Sequence, residues 1–215
     1  MDLSPEQFIL RIPAILLALT IHECAHGYVA LRLGDRTAYN AGRVSLNPLM
    51  HLDFFGTIML LFGPFGWAKP VPVDHRFFEN PRKASLYVSA AGPLSNVFLA
   101  LICGYTLRIL GNVAPSLVMN TALSKFLSLS ILINAGISFF NLIPVPPLDG
   151  SKVLLSLLPD SMIPGYIRIS KYLPPVLLVL IIAEWGLHIP LFSRLIFPLF
   201  EPYYYLITRL ISIGA

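Results

Sequence analysis

Long apolar runs separated by polar, proline-rich breaks organise this chain. The first run, residues 12–31, is twenty residues long, and at 1.5 Å per residue that is about enough to cross a hydrocarbon core. Its only acidic or basic side chains are His22, Glu23 and His26. Ser4-Pro5-Glu6-Gln7 predicts where this helix starts, with Ser4 as N-cap, Pro5 as first helical residue and Gln7 closing a capping box; Gly34 predicts its stop. A polar stretch follows over 35–53, in which 39–46 reads as a hairpin or extended edge. Residues 54–66 are apolar but number only thirteen and include Gly56, Gly63, Pro64 and Gly66, which predicts a re-entrant or interfacial segment rather than a span. Residues 67–73 read as an extended, proline-broken loop. Further helices are predicted over 81–110 and 123–142. A break from Pro144 to Pro147 precedes Leu148-Asp149-Gly150, and two more apolar stretches cover 173–190 and 191–212. The expected fold is an all-α polytopic membrane protein. Its helix bundle has about five spans, a short re-entrant or interfacial segment and a small β-like loop region.

Composition agrees with that pattern. The chain is 56% hydrophobic and 12% charged, with a mean hydropathy of +0.74, which leaves little room for a soluble domain. It reads as one membrane-embedded domain over 1–215, with a core at 12–155 and C-terminal hydrophobic segments at 166–215. The start carries no basic run and no small-residue cleavage site, so no cleaved signal peptide is expected. Net charge is +4, too modest to argue for nucleic acid, and is better read through its placement. Seven of the fifteen Lys and Arg lie between Arg32 and Lys83, which assigns that region to the cytoplasm if 54–66 does not cross. The first helix then runs inward, the second outward and the third inward. His22–His26, Gly92–Asn96 and the Asn141–Asp149 region fall at similar depth near the cytoplasmic side. Cys24 and Cys103 each sit in an apolar stretch and read as small buried hydrophobes, not as a disulfide.

Against this background, His22-Glu23-Cys24-Ala25-His26 is an HExxH motif inside a membrane-length helix. Residues four apart share one helix face, so both imidazoles can reach one ion, and Glu23 beside them is placed to take a proton from water. The bland alternative is two buried histidines bonded to neighbouring helices, with Glu23 as their counter-ion. A catalytic zinc wants a third protein ligand and an open position. Asp149 stands out among the acids because it follows an apolar helix and a proline break, with Gly150 allowing close backbone approach. It reads equally well as the N-cap of a helix from Ser151. Glu184 and His188 are better explained by an interfacial position beside Trp185.

The HExxH segment, Gly92-Pro93-Leu94-Ser95-Asn96, and Asn141-Leu142-Ile143-Pro144-Val145-Pro146-Pro147-Leu148-Asp149-Gly150 together resemble the three motifs of the site-2 protease family of intramembrane zinc metalloproteases, in its short bacterial-type branch. The likeness runs over about residues 12–155. It extends weakly to Asn47-Pro48-Leu49-Met50-His51-Leu52-Asp53. The resemblance implies one zinc ion per chain held by His22, His26 and Asp149, with Glu23 as general base and later acid. It implies substrate binding or oxyanion stabilisation by Asn141 and Asn96, and allows an accessory role for His51, which reads more readily as a loop histidine at the interface. For Asn141 and Asn96 the alternative is hydrogen-bond glue between helices.

The activity expected is zinc-dependent endopeptidase cleavage within or near transmembrane segments, in regulated intramembrane proteolysis or clearance of membrane peptides. Partners are transmembrane proteins or peptides and the lipid bilayer, with no nucleic acid. The location expected is a multi-pass protein of a prokaryotic inner membrane, its site near the cytoplasmic face. Residues 54–66 and the loops around them, with donors near Val71 and Val73, offer edge pairing to an unwound substrate. The alternative of another class is a non-catalytic helix-binding protein with a structural or vestigial metal site. A transporter is disfavoured because no internal repeat is visible.

Overall fold

The computed structural model describes residues 5–62, 66–119 and 121–212. Helix α1 (Pro5–Arg32) starts at the proline expected to open it; the expected cap at Ser4 and the side chain of Gln7 lie outside the described residues. A helical turn α2 (Thr37–Asn40) and α3 (Phe54–Phe62) precede α4 (Pro81–Val113) and α5 (Ala122–Leu142). Then come α6 (Asp149–Leu157), α7 (Ile163–Ser170), α8 (Leu173–Gly186) and α9 (Leu191–Ser212). Local chemistry sets the starts of the two long later helices. Asn80 accepts from the Lys83 N–H ahead of Pro81 in α4, and Thr121 accepts from the Ser124 N–H in α5, each satisfying a donor that the first turn leaves open.

Among the described residues, three helices are long and apolar enough to cross a membrane: residues Phe8–Arg32 of α1, α4 and α5. Asp160–Ser170 with Leu173–Gly186, bent by 43°, makes a fourth if the pair is one span. The expected count of five is therefore not reached. The shortfall lies at the end of the chain. There α8 has 14 residues, while α9, continuous over 22 residues, contains Pro198 and Pro202 and carries Arg194, Glu201 and Arg209. At nine residues, α3 reaches about 13 Å, too short for a helical span; Gly63, Pro64 and Phe65 of the expected segment lie outside the described residues. The β-like loop region also differs from expectation. Among the described residues there is no strand, only an isolated antiparallel bridge between Leu52 and Ala68. Side chains satisfy this polar stretch instead of a ladder: Asp35 accepts from the Thr37 and Asp74 N–H groups, and Asn47 from that of Leu49.

The bundle is antiparallel through its centre. Ala18 and His26 of α1 meet Asn96 and Val88 of α4 in reverse order, and Asn134 and Ser138 of α5 meet Asn96 and Pro93 likewise. The C-terminal end of α1 thus lies beside the start of α4, gathering Arg32, Arg82 and Lys83 at one end. Farther along, Ala100, Cys103, Leu127, Ile131, Ala135 and Ile207 form a buried apolar cluster joining α4, α5 and α9. Tyr105 and Arg108 of α4 donate to the carbonyls of Leu210 and Ile211 at the end of α9. Large apolar side chains such as Ile9, Phe98, Ile109 and Leu132 are exposed on the outer faces of the long helices. That is the surface an integral membrane protein presents to lipid.

Candidate metal centre

His22 and His26 leave the same face of α1, and Asp149 is the first residue of α6. His22 Nε2, His26 Nε2 and Asp149 Oδ2 form a triangle with sides of 3.2, 3.1 and 3.1 Å. All three residues are buried. Asp149 does not cap α6: that position belongs to Leu148, which has no side-chain capping bond. Gly150 brings the carboxylate in. A methyl there would overlap the Leu142 carbonyl and lie 2.7 Å from that of Ile143, so only glycine lets α6 start against the end of α5.

The other ring nitrogens are fixed by acceptors. His26 Nδ1 lies 2.6 Å from the carbonyl oxygen of Val88, and His22 Nδ1 lies 2.6 Å from Asn96 Oδ1. Each Nδ1 must donate, which leaves both Nε2 atoms as bare acceptors in the neutral rings. Three acceptors then converge on one point: two lone pairs and a carboxylate oxygen. Such a cluster repels itself unless a cation or imidazolium protons stand between its members. The spacing suits zinc, since ligands bound at about 2.05 Å on a tetrahedron sit about 3.3 Å apart. Gly92 completes the cradle. A methyl at that position would press on His26 Nε2 and lie 2.6 Å from His22 Nε2.

Glu23 is buried, and its carboxylate accepts from the Val71 N–H at 3.0 Å. The segment carrying Val71 is braced against the earlier loops. Buried Arg43 donates to the carbonyls of Lys69 and Pro70, the Lys69 N–H donates to His51 O at 2.9 Å, and the Asp74 N–H donates to Asp35 at 2.7 Å. The Val71 donor expected to pair with an unwound substrate is therefore already engaged.

The remaining expected site residues are placed as follows. Asn96 is fully buried, and its amide is taken up by His22, the Ala18 carbonyl and Asn134, which sets it apart from a substrate-facing group. Asn141, at the end of α5, donates to the Ile137 carbonyl of its own helix. His51 is fully buried in the loop region, with Nε2 bonded to Ser45 O at 2.8 Å. Glu184 accepts from the Ser193 N–H, joining α8 to α9. Two participants went unnoticed in the sequence, Asn134 and Ser138. Ser138 donates to the Pro93 carbonyl and pairs with the hydroxyl of Tyr203. The spacing of Ser130, Asn134, Ser138 and Asn141 along one face of an apolar helix was the available signal.

Comparison with known proteins identifies relatives described as metalloproteases. The family model described as Peptidase family M50 matches residues 107–183, which include Asn141 and Asp149. Several similar proteins carry the description "putative zinc metalloprotease". YwhC of Bacillus subtilis is 41% identical over 177 residues, covering 81% of each chain. Rip2 of Mycolicibacterium smegmatis is 30% identical over 153 residues, covering 68% of this chain and 56% of Rip2. The same coverage and identity hold for Rip2 of Mycobacterium tuberculosis. No solved structure matches the chain.

Proposed function

The chain belongs to peptidase family M50, the site-2 protease family, which makes it a membrane metalloprotease, and on that premise we propose that it is a zinc-dependent endopeptidase cutting peptide bonds within or beside transmembrane segments. The observation that carries the proposal is the triangle of bare acceptors beside Glu23, inside a bundle whose outer faces are apolar. His22, His26 and Asp149 would hold the ion. A zinc ion bound there supplies Lewis acidity, polarising a peptide carbonyl and lowering the pKa of water to about 7. Glu23 takes the proton from the attacking water and returns it to the leaving amine. The Val71 N–H orients its carboxylate for both transfers. Asn141, at the rim between α5 and α6, offers an amide to the substrate carbonyl as that oxygen gains charge.

Position in the membrane supports the intramembrane reading. His26 lies six residues from the end of α1 at Arg32, about 9 Å along the axis. The basic end of the bundle, which charge placement assigns to the cytoplasm, gives water its shortest route. A substrate carbonyl is already bonded within its own helix, so cleavage favours segments weakened by Gly, Pro, Asn or Ser.

Zinc content of the detergent-purified protein tests the centre. The wild type should hold near one zinc per chain and Asp149→Ala far less; no zinc in a metal-replete wild type would sink the reading. Glu23→Gln should keep the zinc and lower cleavage of a model transmembrane substrate by at least ~100-fold. Undiminished cleavage would remove Glu23 from its role and favour a helix-binding protein with a structural metal.

A further inference from the structure

Two backbone carbonyls orient a line of buried amides that ends on the metal centre. Asn134 Nδ2 faces the carbonyl of Ser130 at 2.9 Å, and Asn96 Nδ2 faces that of Ala18 at 3.0 Å. A carbonyl only accepts, so the NH2 group of each side chain is fixed at that end and Oδ1 must face the other way. Asn134 Oδ1 therefore accepts the second N–H of Asn96, at 2.7 Å, and Asn96 Oδ1 faces His22 Nδ1 at 2.6 Å. The hydrogen of the neutral ring belongs on Nδ1, and the lone pair of Nε2 is turned to His26 and Asp149.

We propose that Asn134 is a positioning residue of the metal centre, acting through Asn96 to fix the tautomer and ring orientation of His22; the proposal rests on the zinc-protease reading of that centre. Asn96 and Asn134 are both 0% exposed, so neither reaches bulk water for a substitute partner. Without the Asn134 acceptor, one Asn96 N–H is left unpaired among apolar helices. Asn96 recovers a bond only by shifting, and His22 shifts with it. His26 has no such dependence, because its Nδ1 bonds directly to the Val88 carbonyl. The two imidazoles are thus held by different means: one by rigid helix backbone, the other by a relay from the far side of the bundle.

The test is the zinc dissociation constant of the detergent-purified full chain, measured by competition with a chromophoric chelator. Asn134→Leu removes the acceptor. Asn134→Ser, a gentler change, keeps a hydroxyl for the Ser130 carbonyl but falls short of Asn96. Asn134→Asp is isosteric and, kept neutral by burial, retains both bonds. Loss of a partner behind a metal ligand typically weakens binding by about 10–100-fold, and that loss is expected for Asn134→Leu and Asn134→Ser, with Asn134→Asp near wild type. The ligand-field bands of the cobalt-substituted protein should coincide for wild type and Asn134→Asp and differ for Asn134→Ser. The proposal is overturned if Asn134→Leu and Asn134→Ser both stay within about threefold of wild type, or if Asn134→Asp loses as much as they do. A wild type that binds no zinc overturns the protease reading itself, and the relay's purpose with it. Normal zinc in the wild type with no effect at 134 removes the relay alone.

Discussion

A single hydrogen atom in place of a methyl group decides whether the metal centre can close. Gly92 sits where any side chain would press on the Nε2 atoms of His22 and His26. Gly92→Ala must therefore push an imidazole off its rotamer or move α4 away from α1, a cost of about 1–3 kcal/mol for overpacking of this kind. Zinc affinity of the purified variant should fall by at least ~10-fold, with the helical circular dichroism retained; unchanged affinity would mean the helices part freely at this point. At this scale the sequence was readable where spacing along one helix carried the message. His22, Glu23 and His26 need only the 3.6-residue period to be placed together. Asp149 was ambiguous between ligand and cap because the choice depends on how close α6 comes to the end of α5, a distance set by Gly150 in three dimensions. Asn134 was not read at all. A polar residue on an apolar helix announces that it needs a partner without saying which one, and here the partner is 38 residues away.

Among the elements, the extended segment over 67–73 matters more to the chemistry than its lack of regular structure suggests. One of its N–H groups, that of Val71, is bonded to the proposed general base, and its course is held by Arg43 through the Lys69 and Pro70 carbonyls. Arg43→Ala leaves those carbonyls without their charged donor. A charge-assisted bond is worth about 1.5–3 kcal/mol, enough to let the segment drift from Glu23. The expected outcome is a lower kcat on a model transmembrane substrate with zinc content near that of wild type, partly restored in Arg43→Lys. Loss of zinc in Arg43→Ala would show that the brace supports the helices rather than the base. The long helices were legible because period, caps and proline breaks agree: Asn80 and Thr121 cap α4 and α5 within a residue or two of the predicted starts. The loop region was not, because its backbone groups are satisfied by Asp35, Arg43 and Asn47 rather than by a ladder. The last two helices misled the span count because apolar content is shared there with prolines and charges.

The molecule as a whole is an antiparallel core of α1, α4 and α5 with the candidate centre toward its basic end. The proposed orientation puts residues 33–80 and 143–172 on the cytoplasmic side and the connection near Ser116 outside. Cysteine placed at Ser116 in intact cells should react with a membrane-impermeant maleimide, whereas cysteine at Thr37 should react only after lysis; the reverse pattern would invert the protein and move the water route to the other face. The same core has a consequence for how the protein is made. His22 and Asp149 are 127 residues apart, so at common rates of synthesis roughly 6–25 s separate their appearance on the ribosome. For that interval the two imidazoles exist as an incomplete pair, with α4 and α5 still to insert and the carboxylate not yet translated. On the proposed zinc reading the three-ligand site is complete only after α1, α4, α5 and Asp149 have all been made, so loading would follow synthesis of the core.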